Sequence, residues 1–213
     1  MNILEIYKKY QIMPQLQEHQ LRVAGVAKII CENFKGEIDS DNIIKACLLH
    51  DMGNILKFDL DNPLFQESME PQGAEFWKKV QSEFKQKYGQ DEHRAHLEIA
   101  REIGVSERIL ELIEAISFKG APINAASNDF GRKICQYSDD RVGPFGVITL
   151  EQRFNDLRKR YAHHGEDSPE KRDFEQALRE IEKQISAQCK IKPEDITNES
   201  INQSIEILRN YDI

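Results

Sequence analysis

The chain has 213 residues, of which 31% are charged and 39% hydrophobic, with a formal net charge of −8 at pH 7. That length fits one sizeable core, the composition lies well away from disordered chains, and the acidic balance offers no global basic field to hold DNA or RNA. No stretch approaches the roughly 18 apolar residues that span a bilayer. Met1 to Tyr10 mixes Glu5, Lys8 and Lys9 with apolar residues and so lacks a signal peptide's apolar core. Cys31, Cys47, Cys135 and Cys189 are widely spaced with no C-x-x-C pair, which reads as free, buried thiols in a reducing compartment. The expectation is a cytoplasmic protein with no membrane partner and with nucleic-acid binding disfavoured.

Leu16, His19, Val23, Val26 and Ile30 recur at steps of three and four and predict a helix from Pro14 to before Gly36, with His19 inside its apolar stripe. Asp39-Ser40-Asp41 caps a second helix that is apolar nearly all round and runs to His50. Residues 59 to 73, with Asn62-Pro63, Pro71 and Gly73, read as a loop. A helix with Phe76, Trp77, Val80 and Phe84 follows and stops near Tyr88-Gly89, and its place beside the second helix makes residues 63 to 88 a candidate lid.

The next helix opens at Asp91, carries His93 and His96, and ends at Gly104; Ser106 caps another with Ile109, Leu112, Ile113 and Ile116 inward. A Gly/Pro/Asn-rich link from Gly120 to Asn128 leads to a helix marked by Phe130, Ile134 and Tyr137. Val147 to Leu150 reads as a loop before a helix at Glu151. Two amphipathic helices close the chain, one from Ser168-Pro169 and one marked by Ile201, Ile205 and Leu208. Strands find almost no support, so the fold class is all-α. The division is a main domain over residues 1–165 and a helical extension over 166–213 that packs on or completes it, or forms a homodimer face.

Chemistry concentrates at His50-Asp51, where imidazole and carboxylate sit side by side at the end of a buried helix and need compensation. The dipeptide alone is a weak signal. Taken with His19 and Asp139, each on or at the end of a helix facing the same core, it gives four oxygen and nitrogen ligands, a set that suits Mn, Fe, Co, Ni, Zn or Mg and leaves an octahedral ion one or two open positions. An ion with an open position lowers the pKa of water and polarises a phosphoryl oxygen.

The segments Glu18-His19-Gln20-Leu21-Arg22-Val23-Ala24, Leu48-Leu49-His50-Asp51-Met52-Gly53 and Tyr137-Ser138-Asp139-Asp140-Arg141-Val142 resemble, in order, spacing and flanks, the H…HD…D signature of the HD-domain superfamily of metal-dependent phosphohydrolases. The resemblance covers roughly residues 15 to 155 and implies an all-helical HD-type bundle. It implies His19, His50, Asp51 and Asp139 as ligands of one divalent metal ion, with Asp139 preferred over Asp140, which is expected to face solvent. Glu92-His93 and the residues to Gly104 resemble the segment that supplies an extra histidine in two-metal members. Where such members carry a further histidine, this chain reads Ser117-Phe118-Lys119, which favours a single metal.

His93 then becomes a proton donor or phosphate contact, Asp51 or Glu92 a group that orients water, and Arg22 and Lys119 candidate substrate contacts. His96, His163 and His164 read as structural or exposed, and Arg141 and Arg153 as structural pairing near Asp139. The implied activity is hydrolysis of a small phosphorylated molecule, a nucleotide foremost. The alternatives are a non-hydrolytic nucleotide- or metal-sensing module and, against the missing histidine, a di-iron oxygenase of the same superfamily.

Overall fold

The computed structural model describes residues 1–62, 69–160 and 168–213. His163, His164 and the first six residues of the candidate lid lie outside them. The described residues are mainly helical, and no described helix is long and apolar enough to cross a membrane.

The chain begins with a helix, α1 (Ile3–Lys9), closed by reciprocal hydrogen bonds between Asn2 and Glu5. By composition this segment is only unlike a signal peptide. Its buried face, Ile3, Ile6 and Tyr7, is too short to show a helical period. Tyr7 nevertheless reaches the centre of the molecule, donating its hydroxyl to the carbonyl of Leu48 at 2.7 Å, two residues before His50.

Helices α2 (Pro14–Glu32) and α3 (Ser40–Leu49) follow the apolar patterns. Pro14 opens α2, and the side chain of Asp39 accepts from the Asn42 N–H to cap α3. A single 3-10 turn (Asn54–Lys57) comes next, then α4 (Ala74–Tyr88), anchored where Trp77 Nε1 donates to the Met69 carbonyl at 3.0 Å. Asp91 and Ser106 cap α5 (Glu92–Ile103) and α6 (Glu107–Ala115), with Gly104 in the left-handed region at φ 90° between them.

The Gly120–Asn128 link is a helix over most of its length, α7 (Gly120–Ala126). Pro122 falls in its first turn, where the missing N–H has no intrahelical partner in any case, and Ser117 Oγ accepts from the Gly120 N–H. Asp129 accepts from the N–H groups of Gly131 and Arg132 to start α8 (Phe130–Asp140). The chain then turns through a two-residue-per-strand hairpin, β1 (Val142–Gly143) against β2 (Gly146–Val147), and Ile148 and Thr149 follow outside regular structure, within the loop expected from Val147 to Leu150. Asn198 holds the hairpin from outside: its Oδ1 accepts from the Val147 N–H at 2.8 Å, a long-range contact that no local pattern announces. Helices α9 (Leu150–Arg160), α10 (Pro169–Gln188) and α11 (Asn198–Leu208) complete the structure.

Helix α2 packs against α3, α8 and α11, while α3 also meets α6 and α8, and α10 lies on α7 and α8. The crossing of α2 and α11 is close at Gly25, where a Cβ would stand 3.3 Å from Ile201 Cβ. One continuous apolar core links these helices, from Ile3 to Leu208. The last two helices are also tied in by Arg141, buried to 3% exposure, whose Nη2 donates to the carbonyls of Pro193 and Ile196 at 3.1 and 3.2 Å. Arg141 is thus a structural residue, as expected, and its partners are the Tyr137 hydroxyl and the carbonyls of Ile148, Pro193 and Ile196.

Candidate metal centre

Helix ends and faces bring the chemistry together. His19 stands on α2, His50 closes α3, Asp51 begins the turn after it, and Asp139 sits in the last turn of α8. Packing of α2, α3 and α8 on one another makes them converge. His19 Nε2 lies 3.1 Å from Asp139 Oδ1 and 3.6 Å from Asp51 Oδ2, while His50 Nε2 lies 3.3 Å from Asp139 Oδ1 and 3.7 Å from Asp51 Oδ1. One ligand atom each from His19, His50 and Asp139 fall within 4.8 Å of one another. Asp51 is adjacent, with one carboxylate oxygen facing each imidazole.

His50 shows what the arrangement is suited to hold. Its Nδ1–H donates to the Cys47 carbonyl at 2.8 Å, one turn back on α3, which fixes the ring and leaves Nε2 as the inward nitrogen. That Nε2 is fully buried and, though 3.3 Å from Asp139, has no hydrogen bond of acceptable geometry. A buried, oriented, unbonded imidazole nitrogen among two carboxylates and a second imidazole fits a divalent cation.

The electrostatics agree. Burial opposes charge on His50, but Asp51 and Asp139 outweigh it and push its pKa up to about 9. Burial also works against ionised Asp51 and Asp139, yet the two imidazoles hold both below the usual carboxylate range. The site thus carries two carboxylates and attracts protons where it lacks a stronger cation.

Three supporting residues escaped the sequence reading. Gln20, fully buried on α2, accepts the Asp51 N–H on its Oε1 at 3.2 Å; its signal was an amide side chain inside the apolar stretch around His19. Gly53 donates its N–H to His96 Nδ1 at 2.9 Å, and a Cβ there would fall 2.7 Å from Ala95 Cβ, so α5 packs directly onto the turn after Asp51. Asp140, expected to face solvent, is only 2% exposed: its carboxylate accepts from Gln136 Nε2 at 2.7 Å and meets Arg153 Nε at 3.2 Å. Burial, with Asp139 next to it, raises the Asp140 pKa to about 6. Arg153, on α9, covers this carboxylate and comes within 4.0 Å of Asp139 as well.

Two cavities meet at Ser117 and Phe118. One, about 400 Å³, is walled by Asp139, Asp140 and Arg153 and floored by Phe118 and Phe174, whose rings stack at 4.5 Å. The other, about 440 Å³, lies between α5, α6 and the turn before α7, and takes in His93, His96 and Lys119. Among the described residues His93 is exposed, Glu92 is half-buried, and neither bonds to the His/Asp cluster. Arg22, half-buried on α2, has no ion pair among the described residues.

The HD-domain family model matches residues 16–192. The chain belongs to the HD-domain family. The match takes in all four residues of the HD centre and extends through α10, whose helix packs on α7 and α8. Comparison with curated proteins and with solved structures gives no match. HD domains bind divalent metals and belong to a superfamily of metal-dependent phosphohydrolases, and His19, His50 and Asp139 are placed to bind one here.

Proposed function

We propose that this HD domain hydrolyses a small phosphorylated molecule, with His19, His50, Asp51 and Asp139 holding one divalent ion. The observation that carries the reading is the unbonded, buried Nε2 of His50 beside a cavity that Asp139 shares with Arg153. When bound, a divalent ion supplies Lewis acidity to a phosphoryl oxygen and lowers the pKa of water. The protein's own groups do the rest. His50 is held in register by Cys47 and the Asp51 backbone by Gln20, so both side chains are presented to the ion in fixed positions.

Arg153 is 15% exposed and, among the described residues, uses only Nε in a hydrogen bond, to Asp140. Its terminal nitrogens are available to a phosphate in the cavity it lines, in the planar geometry that suits phosphate oxygens. Phe118, 44% exposed and backed by Phe174, offers a flat apolar face in the same cavity. An aromatic face beside a phosphate-binding arginine suits a nucleobase, and this supports a nucleotide as the substrate.

The test is phosphate release from a nucleotide panel by chelator-stripped protein reloaded with Mn, Co, Ni, Zn or Mg, with Asp139→Asn in parallel. Turnover is expected from the wild type and loss of about a hundredfold or more from the variant. Intact metal binding with no turnover of any phosphate ester overturns the enzymatic reading and favours a sensing module.

A further inference from the structure

His96 stands out because its bonding fixes its chemistry. It lies on α5, is 4% exposed, and lines the 440 Å³ cavity together with Lys119. Its Nδ1 accepts the Gly53 N–H at 2.9 Å. A neutral imidazole has one accepting and one donating nitrogen, so the proton sits on Nε2. Among the described residues Nε2–H has no hydrogen-bond partner; the His93 ring stands edge-on, 5.9 Å away between centroids. This nitrogen is not sealed off, so its N–H is open to an acceptor in the cavity that His96 lines.

We propose that His96 Nε2–H is a substrate-binding donor that holds an anionic oxygen in this second cavity, with Lys119 supplying the positive charge. The same bonding means that His96 does not ligate a second metal, because its only lone pair is already taken by Gly53. The ring has little tendency to charge. Burial is the main cause, and Asp51 opposes it, while His50, His93 and Lys57 add to it, leaving the pKa at about 3. The donor is therefore in place across the neutral pH range, whereas His93 is exposed.

The geometry of the turn keeps the ring in that state. Gly53 approaches α5 so closely that a Cβ would meet Ala95 at 2.7 Å and His96 Nδ1 at 3.2 Å. The turn that carries Asp51 and the donor that faces the cavity are thus one rigid unit. An oxygen placed by His96 is placed relative to the HD centre too, which is the requirement for a group that orients substrate.

This inference rests on the reading that a phosphorylated molecule binds here, and its test separates the two. The full chain, labelled with 15N-histidine and loaded with a diamagnetic metal, is titrated with inorganic phosphate while ring tautomers are read by long-range 1H–15N correlation. Expected are the Nε2–H tautomer for His96 from pH 5 to 8 and a shift of its Nε2 resonance with phosphate. A Nδ1–H tautomer, an imidazolium at pH 7, or phosphate-induced shifts that spare His96 or all histidines would falsify it. His96→Gln, which keeps both an acceptor and a donor, is expected to retain the KM of any phosphorylated substrate found, and His96→Leu to raise it about tenfold with kcat changed less. If no phosphate ester turns over yet the His96 resonance moves, the donor stands and the hydrolase reading falls. If esters turn over and His96 neither moves nor alters KM, the reverse holds.

Discussion

His19 Nε2 and Asp139 Oδ1 stand 3.1 Å apart although 120 residues separate them in the chain. The contact closes α2 onto α8 at the point where His50 and Asp51 arrive from α3. Two carboxylates and two imidazoles so placed are held together best by a cation, which makes the centre part of what stabilises the fold. Chelator treatment is expected to lower the melting temperature, and saturating divalent metal at a hundredfold above its Kd to restore about 2.7 kcal/mol. Asp139→Asn abolishes that response, and equal melting of stripped and loaded wild type would contradict it.

Metal affinity should depend on pH through His50. With its pKa at about 9 in the metal-free centre, its inward nitrogen is protonated at neutral pH and the ion must displace that proton. Apparent affinity is expected to rise from pH 6 to 9, with proton release measurable by calorimetry in buffers of different ionisation enthalpy. A flat affinity over this range, with no buffer dependence, would rule out a protonated His50.

Gly53→Ala tests the close approach of α5. The added methyl meets Ala95 Cβ and the Glu92 carbonyl, both fixed by the helix, so the turn and α5 must separate. A loss of about 1–3 kcal/mol in urea unfolding is expected, together with disturbance of the His96 ring signals. Neutral behaviour would mean that the turn can yield.

His96 gives stability its own pH dependence. Its folded pKa, about 3, lies below the ordinary 6.5, so between those values the unfolded chain binds more protons at this residue and stability falls as pH falls. His50 acts with the opposite sign: its stabilisation in the metal-free protein is full below pH 6.5 and is lost as pH rises through about 9. Comparing metal-free wild type with His96→Gln isolates the first effect. The variant is expected to lose less stability than the wild type between pH 6.5 and 4.5, and parallel curves would count against a buried neutral His96.

Arg141 should matter to the fold and not to the centre. Truncation to Ala leaves the carbonyls of Ile148, Pro193 and Ile196 without their donor in a buried setting, at a cost of about 3 kcal/mol or more. Melting should drop while metal stoichiometry stays at wild-type level. Loss of metal binding in folded Arg141→Ala would show that the arginine supports the centre after all.

Much of this was readable from the chain because it is local. The stripe around His19, the apolar run ending in His50-Asp51, and the caps at Asp39, Asp91, Ser106 and Ser168 each follow from side chains a few residues apart. The all-helical class and the family signature followed from the same patterns. Local signals failed where the stabilising partner was distant: α7 needed α10 packed along it, the hairpin needed Asn198, and Asp140 was buried by Arg153 from the next helix.

The amino-acid sequence by itself determined an all-α protein with two histidines and two aspartates in HD order, because helical period and motif spacing are properties of neighbours along the chain. Only the tertiary structure decided which atoms those residues present to one another. It left His50 Nε2 buried and unbonded, set Arg153 beside Asp139, and turned His96 toward a cavity with its proton on the far nitrogen. These are consequences of helices packing across long stretches of chain, where burial and partner geometry fix a side chain's protonation and reach.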